Sequence, residues 1–202
     1  MNAWIVIPIK APGTGKSRLA GTLDPTERDA LVRRMLHHVV EVARDIDAML
    51  HLLGPARHGL PEALPLIADP GTGLNDALMV ALRLAEDGGI GRLLFVSADL
   101  PLLRREDLAA LLGADARAIA IAPDRAERGT NALSLPLPAA RAFRFSYGPD
   151  SFAAHAEEAA RLGLALETIR SPTLSLDIDS VDDLARLGWP VPYGQAAQAP
   201  PA

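Results

Sequence analysis

Two lysines in one loop are the most informative basic residues of this chain. The sequence contains 20 lysine and arginine residues in total, and only Lys10 and Lys16 are lysines. Both lie in the glycine-bearing stretch KAPGTGKS, directly after the apolar run WIVIPI. A lysine ammonium is a compact point charge, whereas arginine presents a planar fork, and backbone N–H groups of such a loop also attract anions. We therefore expect this loop to bind a polyphosphate.

The same loop matches only half of the P-loop pattern. Its GKS triplet fits the end of G-x-x-x-x-G-K-[ST], but Lys10 stands where the first glycine should be. The helix that should follow is interrupted by Asp24 and Pro25. A P-loop NTPase or nucleotide-binding regulatory module is therefore an alternative that these two departures weaken. An ordinary flexible surface loop is the other alternative.

Aspartates at predicted strand ends add the complementary chemistry. Asp99 ends the apolar run RLLFVSAD, and a carboxylate at the end of a buried parallel strand often holds Mg²⁺ for phosphate chemistry, although it can also cap a turn. We interpret SLDIDS as a strand that points Asp177 and Asp179 to opposite faces. We therefore expect only one of them to meet the metal of Asp99. Asp182 and Asp183 lie in the first turn of the following helix, where the helix dipole stabilises acidic side chains, so their presence needs no catalytic role.

Two further polar loops are candidates for binding a second anion. The first, PDRAERGTNALSL, contributes Arg125, Arg128, Gly129, Thr130 and Asn131. In the second, Gly148 begins a turn and Ser151 starts a helix, whose N-terminus attracts anions unless the serine is a plain helix cap. No histidine is expected to take part in catalysis or metal binding. His155 is predicted on a helix surface. His37 and His38 are adjacent, so they cannot share one helix face and are not expected to form a two-histidine metal site. Two anion sites beside carboxylates indicate nucleotidyl transfer rather than hydrolysis.

Composition narrows the class of protein. The chain has 202 residues, of which 49% are hydrophobic and 22% charged, which is typical of one globular domain. A net charge of −5 argues against general nucleic-acid binding, and the absence of cysteine excludes disulfides and thiolate metal sites. No apolar run approaches the roughly 20 residues of a membrane helix. We expect a cytoplasmic protein with neither a nucleic-acid nor a membrane partner.

Strand-like apolar runs alternate with helical patterns along the chain. Asp24, Pro25 and Glu27 predict a helix start, and apolar residues at helical spacing follow: Val32, Met35, Leu36, Val39, Val42, Ala43 and Ile46. LNDALMVALRLAED is a second amphipathic helix between strand candidates. This alternation predicts a single-domain, three-layer α/β/α fold with a mostly parallel sheet. We place the domain at residues 1–188 and predict a disordered tail over 189–202, which is rich in Pro, Ala and Gln.

Six blocks of sequence, in chain order, resemble the CofC/FbiD family of guanylyltransferases. They are IPIKAPGTGKSRLA, DPGTGLNDAL, SADLPLL, PDRAERGTNAL, YGPDSFAAH and LDIDSVDDL. The resemblance extends to about Leu187 and implies the nucleotide-diphospho-sugar transferase fold, which is Rossmann-like. Family members join GTP to a small phosphorylated acid and release pyrophosphate, in coenzyme F-420 biosynthesis. The acid is phosphoenolpyruvate, 2-phospho-L-lactate or 3-phospho-D-glycerate, and phosphoenolpyruvate is the expected one for a bacterial chain.

The resemblance also implies roles for individual residues. The phosphorylated acid would be bound by Thr130, Gly148 and Ser151. Mg²⁺ would be bound by Asp99 and Asp179, with Asp177 as the next candidate. GTP would lie between the first loop and the GLN block, in contact with Lys10, Lys16, Gly73, Leu74 and Asn75. The residues expected to act in catalysis are Lys10, Lys16 and Asp99.

Two departures from the family pattern and several alternatives stay open at this point. The first loop reads GTGKS, which is more P-loop-like than the family pattern, and Val181 stands where proline is common. A related transferase of the same fold, using CTP or a sugar phosphate, is an alternative enzyme. The product is expected to pass to the next enzyme of the pathway. The sequence offers no argument for or against a homodimer.

Overall fold

The computed structural model of the protein describes residues 2–187, which form seven strands and five α-helices. The strands are β1 (Ala3–Pro8), β2 (Met49–Gly54), β3 (Leu66–Ala68), β4 (Arg92–Val96), β5 (Ala118–Pro123), β6 (Thr130–Pro136) and β7 (Ala165–Thr168). The helices are α1 (Pro25–Arg44), α2 (Leu74–Asp87), α3 (Arg105–Leu112), α4 (Ser151–Arg161) and α5 (Val181–Leu187). A short 3₁₀ helix, Ser17–Leu19, precedes α1.

The strands form one sheet in the order β3-β2-β1-β4-β6-β5-β7, and the predicted mostly parallel arrangement is confirmed. Only β6 runs antiparallel to its neighbours, β4 and β5, while the other pairs are parallel. Because β6 is reversed, its first residues lie beside the carboxyl end of β4. The Ser97 amide donates to the Asn131 carbonyl at 2.9 Å just beyond that strand. Thr130 therefore lies close to the segment that leads to Asp99.

Helices cover both faces of the sheet, which confirms the three-layer prediction. On one face, α1 and α3 bury Val39, Leu108 and other apolar residues against Ile5 and Ile7 of β1. On the other face, α2 buries an apolar stripe against Phe95 and its neighbours. A sheet covered on both faces needs strands that are apolar on both sides, and all five residues of β4 are buried.

Helix α1 begins as predicted. The Asp24 carboxylate accepts from the Glu27 amide, and the Glu27 carboxylate accepts from the Asp24 amide, each at 2.8 Å. This capping box satisfies two backbone donors at the helix start. Most of the predicted apolar stripe is buried, whereas three of its members, Val32, Val42 and Ile46, are only partly buried.

A small apolar cluster joins the first loop to the end of the chain. Leu19 and Leu23, which follow the lysine loop, pack with Leu176, Ile178 and Leu184 from the C-terminal segment and α5. Burying these side chains brings two stretches that are about 160 residues apart into contact, so the lysines and the late aspartates can share one site.

The C-terminal predictions are not covered by the structure. The domain boundary at residue 188 and the tail over 189–202 lie outside the described residues. Within residues 2–187, no helix is both long and apolar enough to cross a membrane.

Candidate active site

A cavity of about 410 Å³ lies at the carboxyl ends of β1 and β4, which is where ligands bind in parallel sheets. Five residues predicted to act there line it together: Lys10, Lys16, Leu74, Asp99 and Asp179. The predicted nucleotide loop and the predicted metal ligands therefore face one space.

Lys16 is held by two of the predicted metal ligands. Its Nζ lies 2.5 Å from Asp99 Oδ2 and 3.1 Å from Asp179 Oδ1, and only 7% of its side chain is exposed. Its backbone adopts the left-handed conformation (φ 57°) that ends the loop and starts the 3₁₀ helix. Burial disfavours the charged ammonium, but the carboxylates of Asp99 and Asp179 outweigh it and raise the pKa of Lys16. Lys16 is therefore a fixed cation at this cavity.

The three aspartates form one acidic cluster. Each of Asp99, Asp177 and Asp179 offers a carboxylate oxygen, and these oxygens all lie within 4.8 Å of one another. The expectation that only one of the last two meets Asp99 is wrong, because residues two apart in an extended segment share one face: Leu176 and Ile178 are buried in the core, and Asp177 and Asp179 both lie on the other side. Burial, followed by the neighbouring Asp99 charge, raises the pKa of Asp177 to about 6. Such a group of oxygen ligands fits a hard divalent cation.

Asp183 holds the segment that carries these ligands. Its Oδ2 accepts from Ser180 Oγ at 2.6 Å, from the Ser180 amide at 2.9 Å and from the Asp179 amide at 3.3 Å. Arg18 also pairs with Asp179, at 3.0 Å. The interpretation of Asp183 as a dipole partner alone is therefore incomplete, because its carboxylate fixes the backbone of Asp179. Ser180 also caps α5, since its Oγ accepts from the Asp183 amide at 3.3 Å.

The predicted acid-binding residues also lie together. Thr130 Oγ1 and Ser151 Oγ are 3.3 Å apart, and both residues are buried. Thr130 begins β6, while Ser151 begins α4, so a strand and a helix N-terminus converge there. Gly148 precedes the helix with φ 148°, a conformation that side chains rarely adopt. The residue before it, Tyr147, lines the main cavity, whereas Thr130, Gly148 and Ser151 are not among the residues that line it.

His155 lies in the core, and its prediction as a helix-surface residue is wrong. Its exposed fraction is 0%. Its Nδ1 is 3.0 Å from Thr130 Oγ1, and its Nε2 accepts from the Ser146 amide at 3.1 Å. Burial lowers the pKa of His155 to about 4, so the ring is neutral. The spacing from Ser151 to His155 is one helical turn, so the sequence carried a signal that the two share a face.

The GLN block begins α2, and its residues contact both the main cavity and the loop of Gly148. Leu74 lines the main cavity, and Gly73 stands at the helix N-cap with φ 114°. Both ends of the Asn75 amide bind the backbone of Tyr147: Oδ1 accepts from its N–H at 2.8 Å, and Nδ2 donates to its carbonyl at 3.2 Å. Asn75 thus connects the predicted nucleotide block to the loop of Gly148.

The other predicted anion ligands differ in whether their side chains already form salt bridges. The Lys10 side chain is exposed at the cavity, and its carbonyl lies 2.7 Å from His58 Nε2. Arg125 pairs with Asp183 at 3.3 Å, and Arg128 pairs with Asp150 at 2.8 Å. The two arginines therefore brace the loops in this structure.

The first loop is not a P-loop. The helix after Lys16 lasts only one 3₁₀ turn, whereas a P-loop continues into a long α-helix whose N-terminus holds phosphate. The half-match of its sequence therefore reflects a glycine loop that presents lysines, and not the NTPase motif.

Comparisons with known proteins agree with this geometry. A family described as guanylyl transferase CofC like matches residues 3–189. A phosphoenolpyruvate guanylyltransferase of Rubrobacter xylanophilus is 40% identical over 194 residues, covering 93% of this chain and 94% of that protein. A 2-phospho-L-lactate guanylyltransferase of Methanothermobacter thermautotrophicus is 32% identical over 193 residues, covering 93% and 84%.

A solved structure is similar in fold. It belongs to a protein of Desulfovibrio desulfuricans G20 that is provisionally described as a nucleotide-diphospho-sugar transferase. The TM-score is 0.75 at 21% identity, and the match covers 92% of this chain and 86% of that one. The predicted Rossmann-like α/β fold is thereby confirmed.

Proposed function

The chain belongs to the CofC-like guanylyl transferase family, and we propose that it joins GTP to phosphoenolpyruvate with release of pyrophosphate. Family membership confirms the predicted enzyme class, a nucleotidyltransferase. One observation carries the proposal: a buried lysine and two carboxylates line one cavity, and a third carboxylate lies beside them. Two buried hydroxyls, Thr130 and Ser151, meet at the N-terminus of α4. This arrangement suits two anionic substrates.

The reaction brings two anions together. A phosphate oxygen of the acid attacks the α-phosphorus of GTP, a P–O bond forms, and the bond to the pyrophosphate leaving group breaks. A phosphate is already ionised at neutral pH, so no general base is needed. The neutral, buried His155 agrees with a mechanism without a histidine base. The barrier arises from charge repulsion, which fixed positive groups reduce.

Lys10 and Lys16 would hold the triphosphate. Lys10 offers an exposed ammonium at the cavity wall, and Lys16 offers a charge that is already fixed in place. Leu74, which is 42% exposed at the cavity, provides an apolar surface for the nucleotide. Asp99, Asp177 and Asp179 would hold Mg²⁺, which supplies charge neutralisation at the phosphates when it is bound.

Thr130, Gly148 and Ser151 would hold the phosphorylated acid. The Thr130 hydroxyl is a donor for its oxygens, Ser151 holds Thr130 by donating its own hydroxyl to it, and the N-terminus of α4 adds a favourable dipole. Because Gly148 has no side chain and an unusual φ, the backbone can approach the ligand closely there.

Pyrophosphate release tests this function. The purified protein is incubated with GTP, Mg²⁺ and each of phosphoenolpyruvate, 2-phospho-L-lactate and 3-phospho-D-glycerate. A parallel reaction contains the next enzyme and its deazaflavin acceptor, which removes a labile product. Release with phosphoenolpyruvate alone is expected. No release with any acid, in either format, contradicts the proposal and directs the test to CTP, UTP and sugar phosphates.

A second acid is favoured by one specific finding. The relative from Methanothermobacter carries the name of a 2-phospho-L-lactate guanylyltransferase, at lower identity than the first relative. The same assay decides between the two acids. The pathway, the cytoplasmic location, the homodimer and transfer of the product to the next enzyme stay predictions.

A further inference from the structure

His155 contacts the pair of hydroxyls of Thr130 and Ser151 through Thr130, and it does not line the main cavity. It lies in α4 one turn after Ser151, and it is completely buried among Phe143, Tyr147 and the start of β6. A buried imidazole is destabilising unless its nitrogens have hydrogen-bond partners. His155 has a polar neighbour at each, Thr130 Oγ1 at 3.0 Å and the Ser146 amide at 3.1 Å.

The Ser146 amide determines the tautomer of the ring. A backbone N–H can only donate, so Nε2 of His155 must present its lone pair to it. A neutral imidazole then carries its single proton on Nδ1. The Nδ1–H group consequently donates to Thr130 Oγ1.

This donor determines what the threonine hydroxyl can do. Thr130 Oγ1 accepts from His155 and also from Ser151 Oγ, at 3.3 Å. A hydroxyl oxygen has two acceptor sites, and both are then used. The remaining capacity of Thr130 is its own proton, which it can give to a third group. An anionic oxygen is the partner that such a hydroxyl suits best.

We propose that His155 is a positioning residue, whose Nδ1–H fixes Thr130 so that the threonine hydroxyl donates its proton to an oxygen of the phosphorylated acid. This inference rests on the proposed function, because it assumes that Thr130 faces that acid. It assigns different tasks to the two hydroxyls: Thr130 donates to the substrate, and Ser151 supports Thr130.

Two substitutions separate the two nitrogens of the ring. In His155→Asn, the side-chain amide can place an N–H near the position of Nδ1, so the donor to Thr130 is kept. In His155→Gln, the longer amide can reach the Ser146 N–H with its oxygen, so the acceptor is kept and the donor to Thr130 is lost. Both variants are neutral and polar, which makes each the control for the other.

The expected result is a split between Michaelis constants. His155→Gln should raise the KM for the acid about tenfold, the order expected for one lost hydrogen bond to a charged group, and leave the KM for GTP unchanged. His155→Asn should stay close to wild type for both substrates. An equal rise in the acid KM for the two variants, or an equal rise for acid and GTP, would overturn the inference.

A second measurement needs neither turnover nor a variant. Long-range ¹H–¹⁵N correlation spectra of the wild-type protein labelled at histidine report which ring nitrogen carries the proton. Protonated Nδ1 and unprotonated Nε2 are expected for His155, and the opposite tautomer would overturn this inference alone. Failure of the wild-type protein to use any of the three acids would instead overturn the proposed function.

Discussion

Acidification should destabilise the protein through His155. The ring is buried, and its pKa is lowered to about 4, from 6.5 for an unperturbed histidine. The unfolded chain therefore binds a proton more readily than the folded protein does. Stability is fully retained above pH 6.5 and is lost as the pH falls from 6.5 towards 4. The nearby Glu158 charge opposes part of this shift but does not reverse it.

The size of the effect follows from the two pKa values. Each unit of difference corresponds to about 1.4 kcal/mol, so the whole shift corresponds to about 3 kcal/mol when both states are protonated. At pH 5.0 the folded ring is still mostly neutral while the unfolded ring is charged. Linkage then gives a loss of about 2 kcal/mol relative to pH 7.5.

Urea unfolding of wild type and His155→Asn at pH 7.5 and 5.0 measures this loss. The variant lacks the titrating ring, so subtracting its change in unfolding free energy removes the contributions of the other acids and histidines. The wild type should lose about 2 kcal/mol more than the variant between the two pH values. Parallel losses would refute the reasoning, because they would mean that burial does not keep this ring neutral.

Three further predictions concern the site. Asp99→Asn should weaken Mn²⁺ binding about tenfold or more, because it removes one carboxylate ligand. Electron paramagnetic resonance without substrates measures this binding, and Asp182→Asn is the control that should leave it unchanged. An equal effect of both substitutions would exclude a specific metal site. Lys16→Ala should lower kcat about 10²-fold, as loss of a preorganised charge does; near-wild-type turnover would contradict its proposed role. Asn75→Ala removes two hydrogen bonds to Tyr147 and should raise the KM for the acid about tenfold in steady-state assays. A rise in the KM for GTP alone would indicate that Asn75 contacts the nucleotide instead.

Local interactions made much of the fold predictable. The capping box of Asp24 and Glu27 involves residues three apart, and the apolar stripe of α2 repeats within single turns. The helix predicted from LNDALMVALRLAED coincides with Leu74–Asp87 in the structure. Such features depend on neighbours in sequence, so they can be identified without knowing the tertiary structure.

The sequence predicted which loops form the candidate site, but it did not predict how their side chains are arranged. Strand ends identified Lys16 and Asp99, because carboxyl ends of parallel strands share one edge of the sheet. The relation between Asp177 and Asp179 was misjudged, because residues two apart in an extended segment share one face. The two polar loops supplied Thr130, Gly148 and Ser151 as candidate anion ligands, and the resemblance to a family assigned all three to one ligand, which spacing alone would not have done.

The sequence by itself determined the layered α/β fold, the lysine loop and the acidic residues, because periodicity, caps and strand-end chemistry are local. Only the tertiary structure decided which of these groups meet. Lys16 reaches carboxylates 83 and 163 residues away, and His155 binds Thr130 from 25 residues away. Those contacts depend on the reversed strand β6 and on apolar packing between the two ends of the chain. Both are products of long-range burial, which no short stretch of sequence encodes.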